Sequence, residues 1–177
     1  VSWRRLTSGE TELALGVFGE ALKLGGVRLW FHGLPIGFAV TLGPIITLPG
    51  VVRPDFSAES PDIQAWLIHE LVHVWQMQTK PLRAIASWVG VLISGGYGPG
   101  LPGYRYALPA QWRALNLEQQ AAVVEDMVRL GAGLTTRHGP AGAELEDYRG
   151  LTPFAASAPV PLIRRCAPPS PRRGEGC

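Results

Sequence analysis

Leu13, Val17, Ala21 and Leu24 recur at three- to four-residue spacing behind Thr7-Ser8-Gly9-Glu10. That spacing predicts a helix over 9–23 with an apolar stripe turned to a core. Thr7 and Glu10 stand in capping-box register at its start, and Gly25-Gly26 is expected to stop it. Val27–His32 is apolar and suited to a pleated strand. Phe38–Leu48 is a second β-prone run, with Gly43-Pro44 placing a turn or bulge inside it and Pro49-Gly50 closing it. Arg53–Glu59 reads as a loop. Ser60-Pro61-Asp62 then gives a cap, a proline at the first helical position and an acid in the first turn, predicting a helix from 61 to about 79 that stops before Pro81. Leu82–Ser94 predicts a shorter apolar helix, and Gly95–Gly103 a glycine-rich loop. Asn116-Leu117-Glu118-Gln119 repeats the capping pattern and predicts a helix to about Leu130, with Gly131 as its stop. Its apolar stripe is Leu117, Ala121, Val124 and Val128.

Strand-like runs near the N-terminus followed by helices predict one α+β domain. Its expected extent is residues 1–154. Residues 155–177 hold five of the 16 prolines among Ser, Ala and Arg, and read as a disordered tail. The 177 residues are 46% hydrophobic and 17% charged, enough apolar material for one core. Residues 1–150 carry twelve basic and thirteen acidic side chains, and 151–177 carry four and one, so the basic balance belongs to the tail. No basic stripe is present to meet phosphates, which argues against a nucleic-acid partner. The apolar stretches around Gly33–Leu48 and Ile85–Ser94 are interrupted or short against the roughly 20 residues of a membrane span, so none is expected. The N-terminal VSWRRLTSGETEL lacks a secretory-leader pattern. The expected location is cytoplasmic, or exported without such a leader. Cys166 and Cys177 both lie in the tail, so neither a disulfide framework nor a cysteine zinc cluster can build the core.

His69-Glu70-Leu71-Val72-His73 is an HExxH motif inside the helix predicted from Pro61. Histidines four apart share one helix face, so both imidazoles can reach one ion at about 2.0–2.1 Å. Glu70, one position on and turned by about 100°, cannot share that face but can lean over the open side as a general base. The competing reading is a core helix with two hydrogen-bonded histidines and a solvated glutamate. Against it stands the cost of burying three polar groups among Trp66-Leu67-Ile68 and Val74-Trp75 without a shared purpose.

A zinc site needs at least one further protein ligand. His32 and His138 read as surface or loop residues. Carboxylates of the later helix are better placed: Glu118 in its first turn, or Glu125 two turns along the same face. Glu125 or Asp126 could instead orient a ligand histidine. Glu118 also has an ordinary role open to it, as a first-turn acid favoured by the helix dipole. Phe38–Leu48 reads as a core strand, with an edge strand that pairs with an extended substrate as the alternative. Tyr104 and Tyr106 read as structural aromatics that could supply a phenol to a reaction intermediate. Trp66 and Trp75 belong to the core.

LIHELVHVWQ resembles the HExxH segment of bacterial Vgr-related proteins, which are similar in turn to the metallopeptidase domain of contractile injection system proteins. VFGEALKLGGVRL at 17–29, the region Ile45–Pro49 and NLEQQAAVVED at 116–126 agree, and the resemblance covers roughly residues 8–130. It implies a zincin-like fold and zinc-dependent peptidase activity on a peptide or protein substrate. It further implies Zn2+ held by His69, His73 and Glu118, with Glu70 as base, and a secretion-apparatus partner. In zincins with a glutamate ligand an acid often follows four residues later. Here that position is Ala122, so the choice between Glu118 and Glu125 stays open. The rival function is a non-catalytic structural or adaptor protein of a secretion system with a vestigial or structural zinc site. A toxin effector acting on peptidoglycan or a host protein is a third.

Overall fold

The computed structural model describes residues 2–32, 38–50, 52–86 and 103–154. Strand β1 (Ser2–Arg5) leads into helix α1 (Ser8–Phe18). Strands β2 (Arg28–His32), β3 (Val40–Leu42) and β4 (Ile45–Pro49) follow, then helices α2 (Pro61–Thr79) and α3 (Leu117–Gly131). Residues 81–86 are helical, and the rest of the run expected as a helix to Ser94 lies outside the described residues, as do most of Gly95–Gly103 and the tail from 155. The architecture is α+β: a four-stranded sheet in the order β1-β2-β4-β3 with helices on one face. β2 and β4 run parallel, and the two outer strands are antiparallel to their neighbours.

The capping chemistry is formed as the sequence predicts. Thr7 and Glu10 make a capping box at α1, and Asn116 and Gln119 make one at α3. Ser60 precedes Pro61 at the start of α2, but its hydroxyl makes no cap hydrogen bond; its carbonyl receives the amides of Ile63 and Gln64. α1 ends earlier than expected. Gly19, at a φ of 54°, stops it after Phe18, and a single 3-10 turn, Gly19–Ala21, follows. Glycine enters this backbone region without steric cost, and Gly19 rather than Gly25-Gly26 takes it and ends the helix. The expected run Phe38–Leu48 is a hairpin, β3 and β4. Gly43, with a φ of 59°, takes the first position of its two-residue loop, where a type II′ turn requires a positive φ.

Strand β1 has no hydrophobic signature because its inward position is an arginine. Arg4 donates from both terminal nitrogens to the fully buried Glu10, at 2.7 and 2.6 Å, and lies over the rings of Phe31 and Phe56. Glu10 also receives the amides of Thr7 and Phe56, so this buried charge is fully compensated.

The main core joins α1, the inner sheet face (Leu29, Phe31, Ile46, Leu48), α2 and one side of α3 (Ala121, Val124, Val128). Trp66 and Trp75 pack on it half-buried, and Phe154 closes it against Phe18, Trp75 and Trp112. The other side of α3 (Ala122, Val123) packs in a smaller cluster with Tyr106, Leu115 and Tyr148. α3 is therefore buried on two sides and rigidly held against α2, which fixes the side chains the two helices turn toward one another. Among the described residues no helix is long and apolar enough to cross a membrane.

Candidate metal centre

The buried middle of α2 faces the first two turns of α3. His69 and His73, one turn apart on α2, direct their Nε2 atoms to Glu118 in the first turn of α3. Glu118 Oε2 lies 3.4 Å from each of them. That oxygen is buried and has no hydrogen-bond partner. Four ligands at 2.0–2.2 Å on a tetrahedron stand about 3.3–3.5 Å apart, so both separations from Glu118 Oε2 match neighbouring ligands of a zinc ion better than ordinary hydrogen bonds. Nitrogen and carboxylate donors suit zinc better than calcium or magnesium, which favour all-oxygen sites. Among the described residues these three form the one such cluster of His, Cys, Asp and Glu.

Each imidazole is held from behind through Nδ1. His69 Nδ1 lies 3.0 Å from Glu125 Oε2, and His73 Nδ1 lies 2.9 Å from Gln76 Oε1. Glu125 is 2% exposed and so needs compensation. It receives Arg137 at 2.8 Å on one oxygen, and His69 and His138 (Nε2 at 3.3 Å) on the other. Of the two acids left open by the sequence, Glu118 stands at the Nε2 face and Glu125 at the opposite, Nδ1 face. An acid seven residues after Glu118 thus does what an acid at 122 could have done; Ala122 packs in the smaller core instead.

Asp126 is fully buried. It accepts the backbone amides of Arg137, His138 and Gly139 at 2.6, 3.1 and 2.8 Å, and the Tyr106 hydroxyl at 2.8 Å. It orients no histidine itself; it anchors the loop that delivers Arg137 and His138 to Glu125. Gly139 is required there, because a Cβ would stand 2.7 Å from the hydroxyls of Tyr106 and Tyr148. Tyr106 is a structural aromatic, as expected, and burial pushes its pKa far up. Tyr104 belongs to the site instead: its ring is 5.9 Å from that of His69 and stacks on His138 at 5.5 Å. His138 is the expected loop residue, but half-buried against Glu125 rather than on the surface. His32 is neither on the surface nor in a loop; it is buried in β2 outside the cluster.

Glu70 is not one of the His69–His73–Glu118 cluster; it is buried, with Oε2 receiving the Thr41 hydroxyl at 2.8 Å. Thr41 comes from β3, which is an edge strand of the sheet. The Phe38–Leu48 run therefore divides: β4 is interior, and β3 is an edge beside α2.

The electrostatics favour a cation. Burial disfavours a charge on His69, but the Glu118 and Glu125 carboxylates outweigh it and raise its pKa to about 10. His73 is raised likewise, burial being overcome by Glu118. Burial pushes the Glu118 and Glu125 carboxyls up, yet the facing imidazoles bring both well below the ordinary carboxylate range. Two imidazoles and two ionised carboxylates thus form a negative cradle that protons occupy when no metal does.

Thr41, Gln76, Arg137 and His138 were not assigned to the site from sequence. A signal existed for Gln76, which lies one turn after His73 on a buried helix; adjacent acids at 125 and 126 inside an apolar helix demand partners but do not say which.

No family model matches the chain. It is similar to the type VI secretion system spike protein VgrG2b of Pseudomonas aeruginosa (strain PAO1), with 34% identity over 141 residues, covering 70% of this chain and 13% of that protein. The chain thus spans a small part of the length of that curated relative. It is also similar to the solved effector domain of Pseudomonas aeruginosa VgrG2b, at 30% identity and a TM-score of 0.55, covering 73% of this chain and 75% of that domain. The chain belongs to the Vgr-related family represented by the VgrG2b effector domain.

Proposed function

We propose that this chain is a zincin-like, zinc-dependent peptidase module that acts as an effector associated with a type VI secretion system. The secretion association rests on the VgrG2b relatives. The chemistry rests on one observation above the others: a buried, unbonded Glu118 oxygen 3.4 Å from the Nε2 atoms of both motif histidines.

His69, His73 and Glu118 would hold the ion. Bound zinc acidifies water and polarises the scissile carbonyl. Glu70, held on one oxygen by Thr41, keeps the other to take a proton from the attacking water and return it to the leaving amine. Among the described residues the edge strand β3 pairs with β4 alone, which leaves its outer side as the place where an extended peptide can lie. Among the described residues three side chains of ligand type converge, favouring a catalytic site over the structural zinc site of an adaptor, which would be closed by four protein ligands.

Elemental analysis of the purified chain, expressed with zinc, is expected to give about one zinc per chain. Incubation with denatured proteins is expected to yield new peptide termini by mass spectrometry that a chelator abolishes. Less than a tenth of an equivalent of zinc would remove the metal reading. Full zinc with no cleavage would favour the adaptor.

Loading should be linked to protons. His69, with a pKa near 10 in the metal-free protein, carries a proton at pH 7 that zinc must displace. Apparent affinity should therefore rise with pH through the neutral range. Calorimetry in buffers of differing ionisation enthalpy should register at least one proton released per zinc. Zero release would mean that His69 is already neutral in the metal-free protein, against the raised pKa, or that it does not bind the metal.

A further inference from the structure

Gln76 and Gln120 take no part in the reaction above, yet both are buried and joined in one hydrogen-bonded line to the metal centre. The line begins at two backbone carbonyls. Gln120 Nε2 donates to Trp112 O at 2.9 Å and Leu115 O at 3.3 Å. Carbonyls only accept, so the Gln120 amide is fixed with its nitrogen toward them and its oxygen toward Gln76. Gln76 Nε2 then donates to Gln120 Oε1 at 3.1 Å and to Leu117 O at 3.0 Å. With both of its donors committed to acceptors, Gln76 can present only its oxygen to His73, 2.9 Å from Nδ1. Reversing Gln120 would set its oxygen against two carbonyls and donor against donor at Gln76, and reversing Gln76 would set its oxygen against those of Leu117 and Gln120.

We propose that Gln76 is a positioning residue of the metal centre, the last member of a directional amide relay that keeps the proton of His73 on Nδ1 and its Nε2 lone pair on the metal side. This rests on the zinc reading given above. In a neutral imidazole one nitrogen donates and the other is bare, and the partner of the first decides which. The oxygen of Gln76 accepts only, so Nδ1 carries the hydrogen and Nε2 is left toward Glu118. The same side chain holds the carbonyl of Leu117, the residue before Glu118. One amide thereby registers a ligand of α2 against a ligand of α3. The two histidines are held by different means: His69 by a carboxylate that carries charge, and His73 by a neutral carboxamide whose direction is set by the backbone.

The test uses the full chain, 15N-labelled at histidine and loaded with 113Cd. The parent should show metal coupling at Nε2 of His73 and a slowly exchanging hydrogen on its Nδ1. Gln76→Met, of similar length but with neither donor nor acceptor, should lose that protected hydrogen. Its zinc affinity, measured by chelator competition on protein shown to be folded, should weaken about 10–100-fold. Gln120→Met leaves Leu117 O to hold the Gln76 amide, so its affinity should fall between those of the parent and Gln76→Met. A merely structural link between the helices would lower the melting temperature without moving the Nδ1 signal. Coupling at Nδ1 in the parent would overturn the relay even if the Met variants failed to fold. Unchanged zinc affinity in folded Gln76→Met would overturn the relay alone, whereas a parent that took up no metal would bring down the zinc reading and the relay with it.

Discussion

Glu70→Gln is expected to retain about one zinc per chain and to lose peptide hydrolysis by at least about 10²–10⁴-fold, the usual contribution of a general base. The expectation follows from where Glu70 stands. It shares α2 with the two histidines but is turned away from their common face, and it is not one of the three clustered ligand atoms. The carboxamide oxygen of the variant could still receive the Thr41 hydroxyl, which lies 2.8 Å from Glu70 Oε2 in the parent, so the side chain should stay in place and only its basicity disappear. Zinc content by elemental analysis and cleavage by peptide mass spectrometry would be read on the same preparation. Loss of the metal would make Glu70 a ligand or a structural acid. Retained cleavage with retained metal would require another base.

The parts of this fold that could be read from the chain are those whose chemistry is local. A capping box is complete within four residues, so the starts of α1 and α3 were evident from Thr7–Glu10 and Asn116–Gln119. The HExxH spacing lies within one helix, so the shared face of His69 and His73 followed from helical periodicity alone. Strand β1 was hidden because its inward residue is Arg4, whose partner Glu10 belongs to the next helix; a hydrophobic pattern cannot register a buried ion pair. The end of α1 was misplaced because Gly19 and Gly25-Gly26 could each stop a helix, and the sequence does not show which glycine takes the positive φ.

At the site the same division holds. The acids at 118 and 125 were both visible as candidates, but two turns along one helix face do not tell which reaches the Nε2 side. That distinction comes from how α3 docks on α2, with Ala121, Val124 and Val128 against the main core. Thr41 and Arg137 were invisible for the same reason. Thr41 lies 29 residues from Glu70 and Arg137 12 residues from Glu125, joined only through the sheet edge and the loop that Asp126 pins.

The two acids should part when each is removed. In Glu118→Ala a ligand atom is lost between two imidazoles, and zinc affinity should fall by more than the roughly 10–100-fold typical of losing a group that only orients a ligand. Glu125→Ala should stay within that range, because His69 keeps its place on α2 and its Nε2 still faces Glu118. The variants should also differ in their metal-free state. Burial disfavours a charge on either imidazole, and Glu118 supports the protonated form of both, whereas Glu125 contacts only His69. Glu118→Ala should therefore lower the pKa of His69 and His73 together, and Glu125→Ala that of His69 more than that of His73, as followed by histidine NMR titration. Chelator competition gives the affinities of the two variants side by side. The reverse ranking would move the third ligand to Glu125, and equally small losses from both would mean that neither carboxylate completes the site. The ranking should hold because Glu118 Oε2 is the buried oxygen without a hydrogen bond, whereas both oxygens of Glu125 are already engaged by Arg137, His69 and His138.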